Sequence, residues 1–368
     1  MPYQTFDDIE LTWDSKNPDT SFESFFNKIL IKLRPTWSLD NLKHKIFTEG
    51  LTNQLFGFWQ NFEKISDNPK NEAIILRING MGTEEIINRE KELDVWSSLE
   101  EIGIACQLFC TFKNGICFAY MPGKCLDVET IAEEKVFKNV AAEMAKAHFT
   151  EINLKEKATE ETEACWVNYA NNFLNKIQRF DHPNTNQFSK TWFQNAIKTL
   201  SDKHSSFKSK YNQKLVFCHN DVLCNNILYE FDEDLPHFID YEYAGFNYAA
   251  FDVGNHFNEF TGTDVIDYEK YYPEKSVRRS WAKYYLEKAS ELSSGADDNC
   301  EKLEVLDHEI DEFVHDADVM SLASHLMWGV WAIFQLENST SDDFDYGNYS
   351  KERIDEMLKR GSMIGIEF

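Results

Sequence analysis

The stretch that most constrains this chain is 217–260, FCHNDVLCNNILYEFDEDLPHFIDYEYAGFNYAAFDVGNHFNEF. Short apolar runs alternate here with polar, turn-rich segments. The pattern reads as strand, loop, strand, turn, strand, loop and helix. Its loops gather His219, Asp221, Asn226, Asp240, Glu242 and Glu259, an unusual density of oxygen and nitrogen donors at the ends of apolar strands.

The spacing carries a chemical meaning. His219-x-Asp221, then Asn226 five residues on, then Asp240 closing an apolar strand, supplies the parts that phosphoryl transfer needs. At that spacing Asp221 is placed to accept the proton of an attacking hydroxyl. Asn226 offers a metal its carbonyl oxygen, and Asp240 aims a carboxylate at the same ion. Oxygen ligands of this kind suit Mg²⁺. The competing reading makes Asp221 and Asn226 turn residues that merely close a hairpin. Three such groups, each at the end of an apolar strand, favour the chemistry. His219 reads as a residue that orients the loop.

A chain of 368 residues is long enough for two lobes with a sizeable core. Its net charge of −26 argues against nucleic acid or an anionic membrane surface as a partner. An acidic protein that uses ATP must hold the phosphates locally, with a few cations, backbone N–H groups and a metal ion. Eight cysteines are too sparse for a disulfide framework, and the acidic opening MPYQTFDDIELTWD lacks the apolar centre of a secretory signal. A reducing, cytoplasmic setting is therefore expected. Cys106, Cys110 and Cys117 read as small core residues, not zinc ligands. The apolar run 322–336, interrupted by Ser324, His325 and Gly329, falls short of the roughly 20 residues a bilayer needs and reads as a buried helix.

Taken in order, the chain predicts an amphipathic helix over 22–34, stopped at Pro35. Strands follow at 45–47, 55–59 and 72–78, then a helix at 87–103, then two strands within 104–121 joined by Lys113-Asn114-Gly115. The 48–53 loop is either a plain hairpin or a cover for a triphosphate. Arg77 stands in an apolar strand, so it faces solvent or has a partner, for which Glu92 and Glu90 compete. Pro122-Gly123 breaks the chain, and mostly helix follows. The expected class is α+β, with an N-terminal lobe at 1–122 built on five antiparallel strands and a mainly helical C-terminal lobe at 123–368. His148 reads as a core-edge histidine. Residues 288–305 read as a solvated excursion without chemistry. Trp328 and Trp331 share one helix face, as core or as a pocket for a cation.

The segments HNDVLCNNIL (219–228), FIDYEYAGFNYAAFDVGNHFNEF (238–260), SHLMWGVW (324–331) and IFTEGLTN (46–53) closely resemble motifs of the choline/ethanolamine kinase family. LRPTW (33–37), the Leu-Cys after HNDV and the NEF ending resemble the ethanolamine kinase branch. The resemblance implies a protein-kinase-like bilobal fold and ATP-dependent, Mg²⁺-assisted phosphorylation of ethanolamine. That reaction opens the CDP-ethanolamine route to phosphatidylethanolamine. Choline, or both amino alcohols, is the alternative acceptor, and a catalytically silent binding protein is the alternative of another class. The partners implied are small molecules, with no stable membrane insertion; a homodimer is compatible. By the same resemblance, Asp221 is the base, with Asn226 and Asp240 on the metal. Arg77, paired with Glu92, touches the ATP phosphates, while Gly50, Thr52 and Asn53 cover the triphosphate. Ala119 and Met121 flank adenine. Tyr243, Glu259, Trp328, Trp331, Phe344 and Tyr349, with Asp221, line the amino-alcohol site. An extra residue in the 339–343 loop makes Phe344 and Tyr349 the looser matches.

Overall fold

The computed structural model describes residues 3–47, 53–80, 87–155, 157–159, 161–184, 187–262, 266–293, 304–339 and 344–368. The chain divides into two compact units: Met1–Lys124 with Leu228–Glu233 and His237–Glu242, and Cys125–Ile227 with Asp234–Pro236 and Tyr243–Phe368.

The first unit contains β1 (Gln4–Phe6), α1 (Pro18–Phe25), α2 (Ile31–Leu33), β2 (Lys43–Phe47), β3 (Gln54–Trp59), β4 (Ile74–Ile78), α3 (Arg89–Glu101), β5 (Leu108–Phe112) and β6 (Gly115–Ala119). Its sheet has six strands in the order β1-β5-β6-β4-β3-β2. The five antiparallel strands expected from the sequence are all there. The sixth, β1, adds parallel to β5, with Gln4 opposite Cys110. Three residues are too few to carry a legible alternation, so this edge strand escapes a reading by periodicity. Between α1 and α2, Phe26–Leu30 forms one wide π turn. It lets Phe22, Phe25, Phe26, Ile29 and Leu30 all point into the core, where Phe22 and Phe25 meet Phe58 edge-on. Gly115 is required where β6 passes β4, because a Cβ there would lie 2.0 Å from the Arg77 carbonyl oxygen.

Beyond β7 (Lys124–Cys125) the chain continues as α4 (Glu134–Phe149), α5 (Cys165–Lys176), α6 (Lys190–Asp202), β8 (Val216–Cys218), β9 (Ile227–Glu230), β10 (Leu235–Phe238), β11 (Gly245–Asn247), α7 (Ala249–Glu259), α8 (Tyr268–Tyr271), α9 (Lys275–Ser293), α10 (Asp307–Asn338) and α11 (Tyr346–Met363), with most of β9 and the end of β10 belonging to the first unit. In the second unit α10 is the axis, packing on α5, α6, α7, α9 and α11. Every residue from 319 to 334 is buried, so over this span α10 shows no polar face; a helix wrapped on all sides by others needs none. It is long and apolar enough to cross a membrane, and 89% of its most apolar window is buried inside the protein. Gly254 lets α7 touch α10 backbone to backbone: a Cβ would lie 2.6 Å from Ala317 O and from Ser321 N. The expectation of a solvated excursion over 288–305 is corrected at its start. The helix α9 runs on through Ser293 with Ala289 and Ser290 buried, because Ala289 continues the inward face of Leu286 one turn on. Residues 294–303 lie outside the described ones.

Candidate active site

In the first unit the site is built on a chain of buried charges. Arg77 sits mid-strand on β4, opposite Leu55 and Ile116, where only a strong partner makes a buried cation tolerable. That partner is Glu92, at 2.7 Å from Arg77 Nη1; Glu90 does not make the pair. The helix α3 that presents Glu92 starts at Asn88, whose side chain accepts the Lys91 N–H at 3.0 Å. Arg89 Nη1 lies 2.8 Å from the other Glu92 oxygen and 3.4 Å from Glu242 Oε2. Burial works against ionisation at both Arg77 and Glu92. The pairing outweighs it, holding Arg77 above its ordinary value and Glu92 below.

Asp240 follows β10 with φ of 66°, a left-handed conformation that turns the chain sharply toward Glu242. Glu242 is buried, and burial together with the neighbouring Asp240 carboxylate pushes its carboxyl up to about 8, against the pull of Arg77 and Arg89. Asn53 reaches the same group, its amide donating to Glu242 Oε2 at 3.4 Å. A buried carboxylate beside a half-buried one, each opposing the other's charge, forms the kind of hard-oxygen donor set that a divalent cation relieves. Asn53, Arg77, Glu92 and Asp240 thus come together. Ala119 ends β6, and Met121 follows two residues on. Gly50 and Thr52 lie outside the described residues.

In the second unit β8 runs into His219-Asn220-Asp221, and the loop is strapped from several sides. Asp252, on α7, accepts the His219 N–H with Oδ2 and the Asn220 N–H with Oδ1, both at 2.6 Å. Asn220 adopts φ of 69°; its amide donates to Tyr243 O at 3.0 Å, and its Oδ1 accepts from Asn247 at 2.8 Å. Asn255 Oδ1 accepts the Val222 N–H at 2.8 Å. Asn226 donates through Nδ2 to Asp221 O at 2.9 Å and to Asp221 Oδ2 at 3.1 Å. His219 Nδ1 accepts the Asp221 N–H at 3.3 Å, so this ring braces the loop.

Beneath the loop, His148 Nδ1 pairs with the Tyr285 hydroxyl at 2.6 Å and Nε2 with Asp252 Oδ2 at 3.0 Å. A phenol donor on one side and a carboxylate on the other select the tautomer carrying its proton on Nε2. His148, Cys218 and Asp252 cluster closely enough to suggest metal ligands. Their bonds say otherwise. Both Asp252 oxygens hold loop amides, Cys218 Sγ donates toward the Asn247 and Tyr248 carbonyls, and burial keeps the thiol far from ionising. The cluster is a hydrogen-bonded knot under the loop.

The same unit assembles the aromatic residues. Tyr243 and Trp328 meet edge-on at 5.0 Å, Trp328 and Trp331 at 5.5 Å, and Trp331 Nε1 donates to the Tyr243 hydroxyl at 3.1 Å. Tyr349 lies 6.3 Å from Trp331 and 5.4 Å from Phe344. Glu259 closes α7, fully buried, with Oε1 accepting from Arg353 Nη1 at 2.7 Å. Burial raises its carboxyl and Arg353 opposes that. Sequence reasoning missed Asp252, Asn255 and Arg353. Asp252 and Asn255 stand in α7 among polar residues that are all buried, and Arg353 is one of many charges on α11, one helical turn from Tyr349; no local signal marked them out.

A family model described as choline/ethanolamine kinase matches residues 44–358. Human ethanolamine kinase 1 is 32% identical over 342 residues, covering 90% of this chain and 70% of that protein. A probable ethanolamine kinase of Nematostella vectensis is 32% identical over 359 residues, covering 96% of each. Among solved structures, an ethanolamine kinase of Plasmodium vivax superposes with a TM-score of 0.75 at 24% identity, covering 94% of this chain and 89% of that one; this likeness shows the protein-kinase-like fold. With the family model spanning most of its length, the chain belongs to the choline/ethanolamine kinase family.

Proposed function

We propose that this chain transfers the γ-phosphoryl group of ATP to the hydroxyl of ethanolamine, giving phosphoethanolamine and ADP. One observation carries the reading. The Asp221–Asn226 loop and the Tyr243, Trp328 and Trp331 rings are built into the same compact unit. Asp221 takes the hydroxyl proton as the oxygen attacks in line. Asn226, donating through its amide to that carboxylate, keeps it oriented. The Asn226 carbonyl and the Asp240 carboxylate would hold Mg²⁺, which would offset charge on the phosphates. Arg77, held straight by Glu92, contacts the phosphates. Gly50, Thr52 and Asn53 cover them, and Ala119 and Met121 border adenine.

The ammonium end lies against the aromatic rings, each such contact worth about 0.5–2 kcal/mol. A primary ammonium also has three N–H donors to satisfy, and Glu259 offers a carboxylate. Relatives bearing the name ethanolamine kinase support ethanolamine over choline. The aromatic cluster favours a second reading, in which choline is also accepted, since ring faces suit a quaternary ammonium. The cysteines are free among the described residues, which suits an enzyme of the reducing cytosol. Initial rates with MgATP on each amino alcohol test the proposal, with kcat/KM expected to be higher for ethanolamine. A higher value for choline overturns the substrate assignment, and no product from either at high enzyme concentration points to a silent binding protein.

A further inference from the structure

The polar atoms behind the aromatic cluster form one connected path. It starts at the backbone next to the base: the Val222 N–H donates to Asn255 Oδ1 at 2.8 Å. Asn255 Nδ2 donates to Ser324 Oγ at 3.0 Å. Arg353 Nη2 donates to the same hydroxyl oxygen at 3.1 Å, and Nη1 donates to Glu259 Oε1 at 2.7 Å. The guanidinium also lies 5.5 Å from the centre of the Tyr349 ring. Four elements are thereby tied to one cation: the loop after β8, α7, α10 and α11.

Two features make this path more than packing. Arg353 and Glu259 side chains are each 1% exposed, so their charges have been fully taken from water, a cost that a hydrophobic pair of the same volume avoids. And Glu259 Oε2 accepts no hydrogen bond among the described residues. A buried carboxylate with one oxygen clamped and the other unmatched is poised to receive an N–H donor. The planar fork of arginine can hold Ser324 and Glu259 at once, which the single point charge of lysine cannot do.

We infer that Arg353 is a positioning residue for the transfer, fixing the Glu259 carboxylate for the acceptor's amino group in the same frame that holds the backbone beside Asp221. The inference rests on the amino-alcohol reading above. Arg353 acts not on the nucleotide or the reacting atoms but through Glu259 on one side and through Ser324 and Asn255 on the other. Two consequences separate this role from a purely structural one. Loss of the fork weakens the amino alcohol and not the nucleotide, and loss of the Ser324 link slows turnover without weakening either substrate.

The test uses the full chain and two variants, Arg353→Lys and Ser324→Ala, with ethanolamine, MgATP and thermal unfolding measured in parallel. Arg353→Lys is expected to raise KM for ethanolamine about ten- to hundredfold, as for loss of a hydrogen bond to a charged group, with KM for MgATP within about twofold. Ser324→Ala removes the acceptor of both Asn255 and Arg353. It is expected to lower kcat about three- to tenfold, as for loss of the neutral Asn255 bond that ties the frame to the backbone beside Asp221. Both KM values stay nearly unchanged, because Arg353 remains clamped on Glu259. Should Arg353→Lys fail to fold, Ser324→Ala, which removes only a hydroxyl and keeps the ion pair, decides alone. Wild-type kinetics in a folded Ser324→Ala variant, or equal rises in KM for both substrates in Arg353→Lys, overturn the inference. A wild-type chain that turns over neither ethanolamine nor choline overturns the functional reading first, and this inference with it.

Discussion

Asp252 offers the sharpest quantitative test of how the loop is held. Its two oxygens accept the His219 and Asn220 N–H groups at 2.6 Å each, and Oδ2 also faces His148 Nε2 at 3.0 Å. The side chain is completely buried. Asp252→Asn keeps the shape and loses one acceptor, so an amide NH₂ must face a loop N–H. Removing one charge-assisted hydrogen bond costs about 1.5–3 kcal/mol, and stranding the opposed N–H costs about 1–3 kcal/mol more. The sum is about 2.5–6 kcal/mol. For a chain of this size, roughly 2 °C per kcal/mol predicts a fall in Tm of about 5–12 °C. The loop that carries Asp221 would shift with it, and a misplacement of the order of 1 Å costs about a hundredfold in rate. Urea unfolding and steady-state kinetics on the same preparation check both figures. A loss of stability below about 1 kcal/mol with kcat intact would refute the claim that these two bonds set the loop.

Three further outcomes follow from the geometry. Asp221→Asn should lower kcat by about 10²–10⁴ while calorimetry finds ATP binding nearly unchanged, because the base acts on the hydroxyl. Glu92→Gln leaves Arg77 and Arg89 without their shared carboxylate; it should cost about 3–5 kcal/mol in urea unfolding and raise KM for MgATP. His256 is fully buried between Phe260 and Trp281, and burial lowers it to about 4. The unfolded chain therefore binds the proton more readily than the folded one. Its contribution is complete above about pH 6.5 and is lost as pH falls toward 4, by up to about 3 kcal/mol. His256→Gln should flatten that slope in urea midpoints between pH 7 and 4.5; an unchanged slope would sink the assignment.

Many groups of the candidate site stand out in the sequence alone. The Asp221, Asn226 and Asp240 spacing, the strand cation Arg77 and the paired indoles each rest on local pattern, and local pattern survives folding. The choice of Glu92 over Glu90 was not legible, because both lie on one helix and only the packing of α3 selects which faces β4. The edge strand β1 was hidden by its length. The polar residues Asp252, Asn255 and Arg353 stand among other polar residues of their helices, and nothing local says which of these are buried or what they bond to.

By itself the sequence determined the family, the strand-and-loop core at 217–260 and the residue types able to do the chemistry. Periodicity and spacing follow from backbone geometry and hold wherever the chain goes. Only the tertiary structure decided the partners of the buried charges: Arg77 with Glu92, Asp252 with two loop amides, Arg353 with Glu259 and Ser324. A charge out of water must find its counterpart within hydrogen-bond reach, and that counterpart is set by which elements pack together, at separations in sequence of 15, 33, 32, 94 and 29 residues. The 217–260 stretch and β4 therefore supply chemical groups such as Glu259 and Arg77, while α11 and α3 supply the partners that hold them in place.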